Sequence, residues 1–205
     1  MRFLFINSLL FVCICSSYSQ STQTSKSTSA NTTVYKDIGD YPSEYSAATM
    51  MQRVVDGLGY RYYWATEGLT DSDLKYAPGN EGKTVMETVV HLYNLSLTVH
   101  NAVKGNDNLR PSPALTMEFS KIRTMTLEMI KSTSDYLRAN PKLYMEDLQI
   151  TFVRGDKKSE FPFWNTINGP LLDAVYHTGQ IVAFRRANGN PTNPKVNLFS
   201  GKAPE

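Results

Sequence analysis

The sequence contains very little cysteine, and the positions of its few cysteines restrict the chemistry available to it. Its 205 residues include two cysteines, Cys13 and Cys15, and both lie close to the N-terminus. If that segment is removed, the mature chain has no thiol, which excludes disulfides, thiolate metal ligands and a cysteine nucleophile together. The chain also lacks a Gly-x-Ser-x-Gly motif, so the sequence does not support a serine hydrolase.

Runs of basic residues and long apolar runs are also scarce. The formal net charge is +2, and no run of Lys or Arg exceeds two residues, so the basic stripe typical of nucleic-acid binding is missing. The longest apolar run, from Phe3 to Cys15, is shorter than the roughly 20 residues that a membrane helix requires. We therefore expect the mature protein to bind neither nucleic acid nor a membrane, and to act on a small molecule.

The N-terminal run has the organisation of a secretory signal peptide. Arg2 precedes the apolar segment, and Ser17 and Ser19 form a small-x-small cleavage site before Gln20. These features predict a signal peptide at residues 1–19 and an exported protein, periplasmic or extracellular after cleavage. Lipid attachment to a cysteine is the weaker alternative, because neither cysteine follows a Leu-x-small pattern.

The rest of the chain divides into a polar segment and one domain. Residues 20–34 consist mainly of Ser, Thr, Gln, Asn and Lys, which bury too little apolar surface to offset the entropy lost on ordering. We predict that this segment is a disordered linker. Residues 35–205 have the length of one ordinary domain with a single core.

Four stretches have apolar residues at helical spacing, bounded by capping residues, glycine or proline. Their approximate bounds are Ser43 to Gly68, Thr84 to Gly105, Pro113 to Asn140, and Asn168 to Gly189. We predict that Ser43 caps the first helix and that Thr84 and Glu87 form a capping box at the start of the second. The turn Asn168-Gly169-Pro170 is the predicted cap and first-turn proline of the fourth.

A different pattern separates the third and fourth helices. Residues 149–153 and 160–163 flank the polar turn Arg154-Gly155-Asp156, which predicts a small β-hairpin, and Pro162 confines its second strand to a sheet edge. Four amphipathic helices in about 150 residues predict an all-α fold, an antiparallel four-helix bundle, with this hairpin before the last helix.

Residues that ligate metals lie on two of the predicted helices. Asp173, His177 and Gln180 share one face of the fourth helix, and His91 on the second helix is expected to face the same interior. Two imidazoles and one carboxylate leave coordination positions open, as in catalytic zinc sites, and also suit iron(II). A hydrogen-bonded Asp–His pair is the structural alternative. His100 lies on another face, and we expect it at the surface.

The fourth helix carries the most specific pattern of the chain. The segment Asn168 to Gln180, followed by Arg185-Arg186 and Gly189-Asn190-Pro191, is similar to the last helix of DinB-like proteins. The resemblance implies a four-helix bundle, often dimeric, that binds a divalent metal through three histidines. The matching positions here are His91, Asp173 and His177, so one histidine is replaced by a carboxylate. A carboxylate favours harder ions, and Zn, Ni, Mn and Fe all remain open.

The resemblance also implies a function. The first hypothesis is a metal-dependent hydrolase in which a metal-activated water attacks the substrate and Gln180 helps to orient it. Thiol S-transfer is a related alternative that export disfavours, because the thiols it uses are cytoplasmic. A non-catalytic metal-binding or ligand-binding bundle is the second class. We assign structural roles to Trp164, Tyr176 and the arginines at 185–186.

Overall fold

A computed structural model describes residues 34–113 and 115–203. The predicted signal peptide at 1–19 and all but the last residue of the predicted linker at 20–34 lie outside the described residues, so both stay predictions. Within the described ranges, no helix combines the length and the apolar character that crossing a bilayer requires.

Four long helices build most of the fold. The helices are α1 (Ala47–Thr66), α2 (Asp71–Lys75), α3 (Val85–Lys104), α4 (Phe119–Ala139), α5 (Trp164–Thr166) and α6 (Leu172–Ala187). Helices α1 and α3 each pack against both α4 and α6, so α1 and α3 lie diagonally across the bundle from each other. The chain therefore crosses the bundle diagonally between α1 and α3, through the segment that contains α2. The antiparallel course of the helices stays a prediction.

The core lies between the four long helices. Its largest fully buried apolar and aromatic side chains are Tyr60, Tyr62, Leu92, Ile122, Leu127, Leu137, Leu171 and Ile181. The apolar surface of α1 is wider than its buried face, because Met50 is 62% exposed and Val54 is 48% exposed. These two side chains therefore lie outside the core, although they follow the same helical periodicity as the buried apolar residues of α1.

The capping of α3 confirms one prediction, and the capping of α1 corrects another. The Thr84 hydroxyl accepts a hydrogen bond from the Glu87 amide at 3.1 Å, and the Glu87 carboxylate accepts one from the Thr84 amide at 2.8 Å. The cap of α1 is Ser46, not Ser43, because the Ser46 hydroxyl accepts from the Thr49 amide at 3.2 Å. Both serines precede the helix, and the helix begins one residue after the second of them.

The predicted hairpin is present, and it belongs to a larger sheet than expected. Strand β2 (Gln149–Arg154) pairs antiparallel with β3 (Lys157–Pro162), which places Pro162 at the sheet edge as predicted. A third strand, β1 (Asp107–Leu109), pairs parallel with β2 and completes the order β1-β2-β3. The fold is therefore mostly helical with a small three-stranded sheet, and the all-α prediction was incomplete.

The start of α6 differs from the prediction. Helical turns begin already at α5 and continue through a π-helical turn at Ile167–Leu171, in which Gly169 has non-helical dihedrals of φ −96° and ψ −105°. Residue Asn168 therefore does not cap the helix; Leu171 occupies the cap position without a side-chain hydrogen bond. Because Pro170 has no amide hydrogen and Gly169 has no Cβ, the helix bends here rather than at a regular cap.

The C-terminal end of α6 is joined to α1 and α2 by buried polar side chains. Arg185, which is 3% exposed, donates hydrogen bonds to the carbonyls of Ala65 at 3.0 Å and Glu67 at 2.7 Å. Asn190 and Asn188 donate to the carboxylate of Asp73 at 2.6 and 2.8 Å. The last carbonyls of a helix have no partner within that helix, so Arg185 completes the hydrogen bonding of α1. The arginine has a structural role, as predicted.

Replacing Asp73 with alanine is expected to lower the free energy of unfolding by about 3 kcal/mol at neutral pH, because the half-buried side-chain amides of Asn188 and Asn190 lose a buried, charged acceptor. Burial raises the pKa of Asp73, but hydrogen bonds from Asn188, Thr70 and Asn190 outweigh it and hold that pKa well below its ordinary value. A lowered pKa in the folded state gives stability that is present above the unfolded-state pKa of about 4 and is lost as the pH falls through the folded-state value.

Urea unfolding of Asp73→Ala across acid and neutral pH measures this effect. The difference in the free energy of unfolding between wild type and Asp73→Ala is expected to be largest above about pH 4 and to become smaller below it. Asp71→Ala is the matched control, because Asp71 is exposed on the same short helix. If the loss of stability does not change with pH, or is equal in Asp73→Ala and Asp71→Ala, the ionised Asp73 carboxylate does not stabilise the fold in this way.

Candidate metal centre

Three predicted ligands meet where α3 passes the first turns of α6. The Nε2 atom of His91 lies 3.4 Å from Oδ2 of Asp173, and the Nε2 atom of His177 lies 3.3 Å from Oδ1 of the same carboxylate. One ligand atom from each residue lies within 4.8 Å of the other two. The two imidazole rings meet edge to face, with centroids 4.6 Å apart. The structure therefore brings together the three residues chosen from the sequence.

The cluster is half-buried and faces solvent mainly through its carboxylate. The side chains of His177, His91 and Asp173 are 18%, 33% and 43% exposed. Burial, then the charges of His177 and Lys83, lower the pKa of His91, and Asp173 opposes this in part. A lowered pKa keeps the His91 imidazole neutral near pH 7, the form that offers a nitrogen lone pair to a metal.

Gln180 sets the orientation of His177. The Nδ1 atom of His177 lies 2.6 Å from the Oε1 atom of Gln180. An amide oxygen only accepts hydrogen bonds, so Nδ1 of the neutral imidazole carries the proton and Nε2 carries the lone pair. Metal-binding histidines are commonly held by such a hydrogen bond on the second ring nitrogen. The predicted role of Gln180 toward a substrate stays a prediction.

The donor set fits a divalent cation. In the neutral imidazole with Nδ1 bound to Gln180, Nε2 of His177 offers its lone pair 3.3 Å from a carboxylate oxygen of Asp173. A cation placed between these two donor atoms would bind both. Two ligands that are each about 2.1 Å from a tetrahedral ion lie roughly 3.4 Å apart. The separations here are close to this value: 3.4 Å from His91 to Oδ2 of Asp173 and 3.3 Å from His177 to Oδ1.

Replacing Gln180 with leucine is expected to weaken metal binding by about 10-fold to 100-fold, because His177 loses the hydrogen bond that fixes its ring. Competition with a chromogenic chelator measures the affinity. Gln180→Glu, which keeps an acceptor oxygen, is the matched control and should retain most of it. Unchanged affinity in the leucine variant, with an unchanged thermal midpoint, contradicts the positioning role.

Two other residues of α3 whose side chains can ligate a metal have other partners. The Nδ1 atom of His100 lies 2.9 Å from the Thr133 hydroxyl, so His100 joins α3 to α4, half-buried and not at the surface as predicted. Burial is the main cause that lowers its pKa. Glu87, which is engaged in its capping box, stays outside the cluster.

One aromatic residue of the site was assigned a structural role from the sequence. Tyr176 is 63% exposed, and its ring centroid lies 5.3 Å from that of His177. The side chain therefore borders the cluster from outside. Its position next to His177 in the sequence was a signal, but helical spacing alone did not separate an exposed aromatic ring from a core one.

Comparisons with known proteins bear on the fold. No protein-family model matches the chain, and no curated protein matches its sequence. Among solved structures, the chain matches YfiT from Bacillus subtilis with a TM-score of 0.51 and 18% identity, over 74% of this chain and 94% of that one. This chain has the fold of YfiT. YfiT is described as a probable metal-dependent hydrolase with an unusual four-helix bundle topology. The predicted four-helix bundle is thus confirmed.

Proposed function

We propose that this protein is a divalent-metal-dependent hydrolase whose metal ligands are His91, Asp173 and His177. The observation that carries the proposal is the convergence of the three ligand atoms within 4.8 Å, from two helices that are far apart in the sequence. The fold supports it, because YfiT is described as a probable metal-dependent hydrolase.

Each residue of the site has a task in this proposal. A divalent metal, when bound, supplies a Lewis acid that polarises a substrate carbonyl and lowers the pKa of water. Three protein ligands leave further coordination positions free, and the exposure of Asp173 leaves that side of the cluster open to a small molecule. Gln180 keeps the His177 ring in the ligating orientation, and Tyr176 forms part of the outer wall.

The carboxylate in the donor set bears on the choice of ion. One negative ligand and two neutral imidazoles reduce the charge of a bound divalent ion by one, and a carboxylate oxygen suits harder ions than imidazole alone. We therefore propose that manganese and iron compete with zinc and nickel at this site. Elemental analysis of the purified protein identifies the ion that it retains.

A substrate panel tests the reaction class. Protein loaded separately with Zn, Ni, Mn or Fe(II) is assayed against esters, amides and lactones. We expect hydrolysis of at least one class, lost on chelation and reduced by at least about 100-fold in His177→Ala, because removing a ligand removes the metal. His100→Ala is the matched control and should keep its activity. Stoichiometric metal without hydrolysis of any class would contradict the hydrolase and favour a non-catalytic metal-binding bundle.

The cellular context is a separate part of the proposal. We propose that residues 1–19 are cleaved on export, that residues 20–34 tether the domain, and that the mature protein acts outside the cytoplasm on a small molecule. An exported site is separated from the cytoplasmic thiols that S-transfer requires. N-terminal sequencing of the mature protein tests the cleavage, and sedimentation equilibrium tests the homodimer implied by the resemblance.

A further inference from the structure

A second concave site lies beside the N-terminal half of α1. A cavity of about 680 Å³ opens between α1, the 3₁₀ helix at Met145–Asp147, strand β3 and the segment that leads into α6. Its floor is formed by buried side chains, among them Leu148 and Leu171, and its walls include the exposed Met50 and Trp164. A volume of this size lies within the range of roughly 300–1,000 Å³ found for small-molecule sites.

The cavity is distinct from the metal centre. None of the three metal ligands contributes to its lining. Leu171 lines the cavity and Asp173 belongs to the metal cluster, and two positions along a helix correspond to a rotation of about 200°. The two sites therefore lie on different faces of the same helical segment, and a ligand in one does not occupy the other.

The walls expose apolar groups that the bundle does not bury. Trp164 is 74% exposed, Met50 is 62% exposed and Val54 is 48% exposed, and all three line the cavity. A contiguous apolar surface that is also concave is typical of a binding site in a protein of this size. Methionine side chains adapt to the shape of a ligand because they are unbranched and flexible.

The charged groups of the lining have one sign. Glu146 and Glu160 line the cavity, and no lysine or arginine does. Glu160 lies 3.2 Å from the ammonium group of Lys158, whereas Glu146 forms no ion pair with any residue in the described ranges. Trp164 also lines the cavity, and an indole ring attracts cations. The cavity therefore complements a positive charge.

We propose that this cavity binds an elongated apolar small molecule that carries a cationic amine or ammonium group. The apolar body packs against Met50, Val54 and the floor, and the cationic group lies toward Glu146 and Trp164. This site is independent of the metal centre.

Two probes with the same alkyl chain and opposite charge test the proposal. Decyltrimethylammonium and decanoate are titrated into the full mature protein below their micelle concentrations, with isothermal calorimetry as the readout. We expect the ammonium probe to bind at least about tenfold more tightly than decanoate, because a carboxylate and an indole face both favour the cation. In Glu146→Gln this ratio should fall at least about threefold.

A second pair of variants localises the binding. Met50→Arg should abolish binding of the ammonium probe, and Leu198→Arg, at another exposed apolar position, should leave it unchanged. Both variants should keep the metal content of wild type, which separates this site from the metal centre. Equal affinity for the two probes, no binding of either, or equal losses in both arginine variants would overturn the proposal. Self-association of wild type that Met50→Arg removes would overturn it too, by assigning the cavity to a second copy.

Discussion

Replacing His177 with alanine is expected to lower the affinity for a divalent metal by at least about 100-fold, because one of three protein ligands is lost. The Nε2 atom of His177 lies 3.3 Å from the carboxylate, and its Nδ1 atom is held by Gln180. The remaining histidine, His100, contacts Thr133 and lies outside the cluster, so it cannot replace His177. The free energy of unfolding of the metal-free protein should change by less than about 1 kcal/mol, since the side chain is partly exposed.

Chelator competition and elemental analysis on the same preparations measure this effect. His100→Ala removes an imidazole that binds Thr133 and should retain wild-type affinity. Asp173→Asn keeps the shape of the carboxylate and removes its charge, and it should also lose affinity, by at least about tenfold. Full metal content in His177→Ala would refute the ligand assignment and leave the Asp–His contacts as structural hydrogen bonds.

Replacing Arg185 with alanine is expected to lower the free energy of unfolding by about 3–4 kcal/mol, because several carbonyls lose a buried, charged donor at once. Arg185 donates to Ala65 and Glu67 at the end of α1, and its Nε atom donates to the Asn190 carbonyl at 2.7 Å. Its guanidinium thus joins the ends of two long helices. Burial lowers the pKa of Arg185, and the residue remains charged at neutral pH because an arginine pKa starts above 12.

The neighbouring arginine provides the control. Arg186→Ala removes the same side chain from the next position, where it is exposed, and should change stability by less than about 0.5 kcal/mol. Urea unfolding at neutral pH compares the free energies of unfolding of the two variants, which have the same amino-acid composition. Equal effects would mean that the arginine pair acts through the helix dipole, as terminal arginines often do, rather than through the carbonyls of α1.

The candidate ligands were accessible to sequence reasoning because their geometry is partly local. Positions four apart on a helix always share a face, so Asp173 and His177 were expected to lie together whatever the tertiary structure. The role of Gln180 was not accessible in the same way. Its position predicted a shared face, but only the side-chain conformation shows its oxygen bound to His177.

Features that depend on distant partners were missed or misplaced. Strand β1 has three residues, too few to show an alternating pattern, and it exists because β2 lies beside it. Met50 and Val54 fit the apolar periodicity of α1, yet they border a cavity because the opposite wall comes from residues about a hundred positions later. Apolar periodicity shows which side chains share one face of a helix. Packing decides whether another segment buries that face.

Local sequence patterns specified the long helices, the capping box of α3, the hairpin and the shared helical face of Asp173 and His177. Each of these depends on interactions within a few residues of the chain. Tertiary structure alone decided the diagonal arrangement of α1 and α3, the bend before α6, the meeting of His91 with Asp173 and the apolar cavity. These depend on contacts between segments far apart in the chain, and their free energies are set by packing rather than by local propensity.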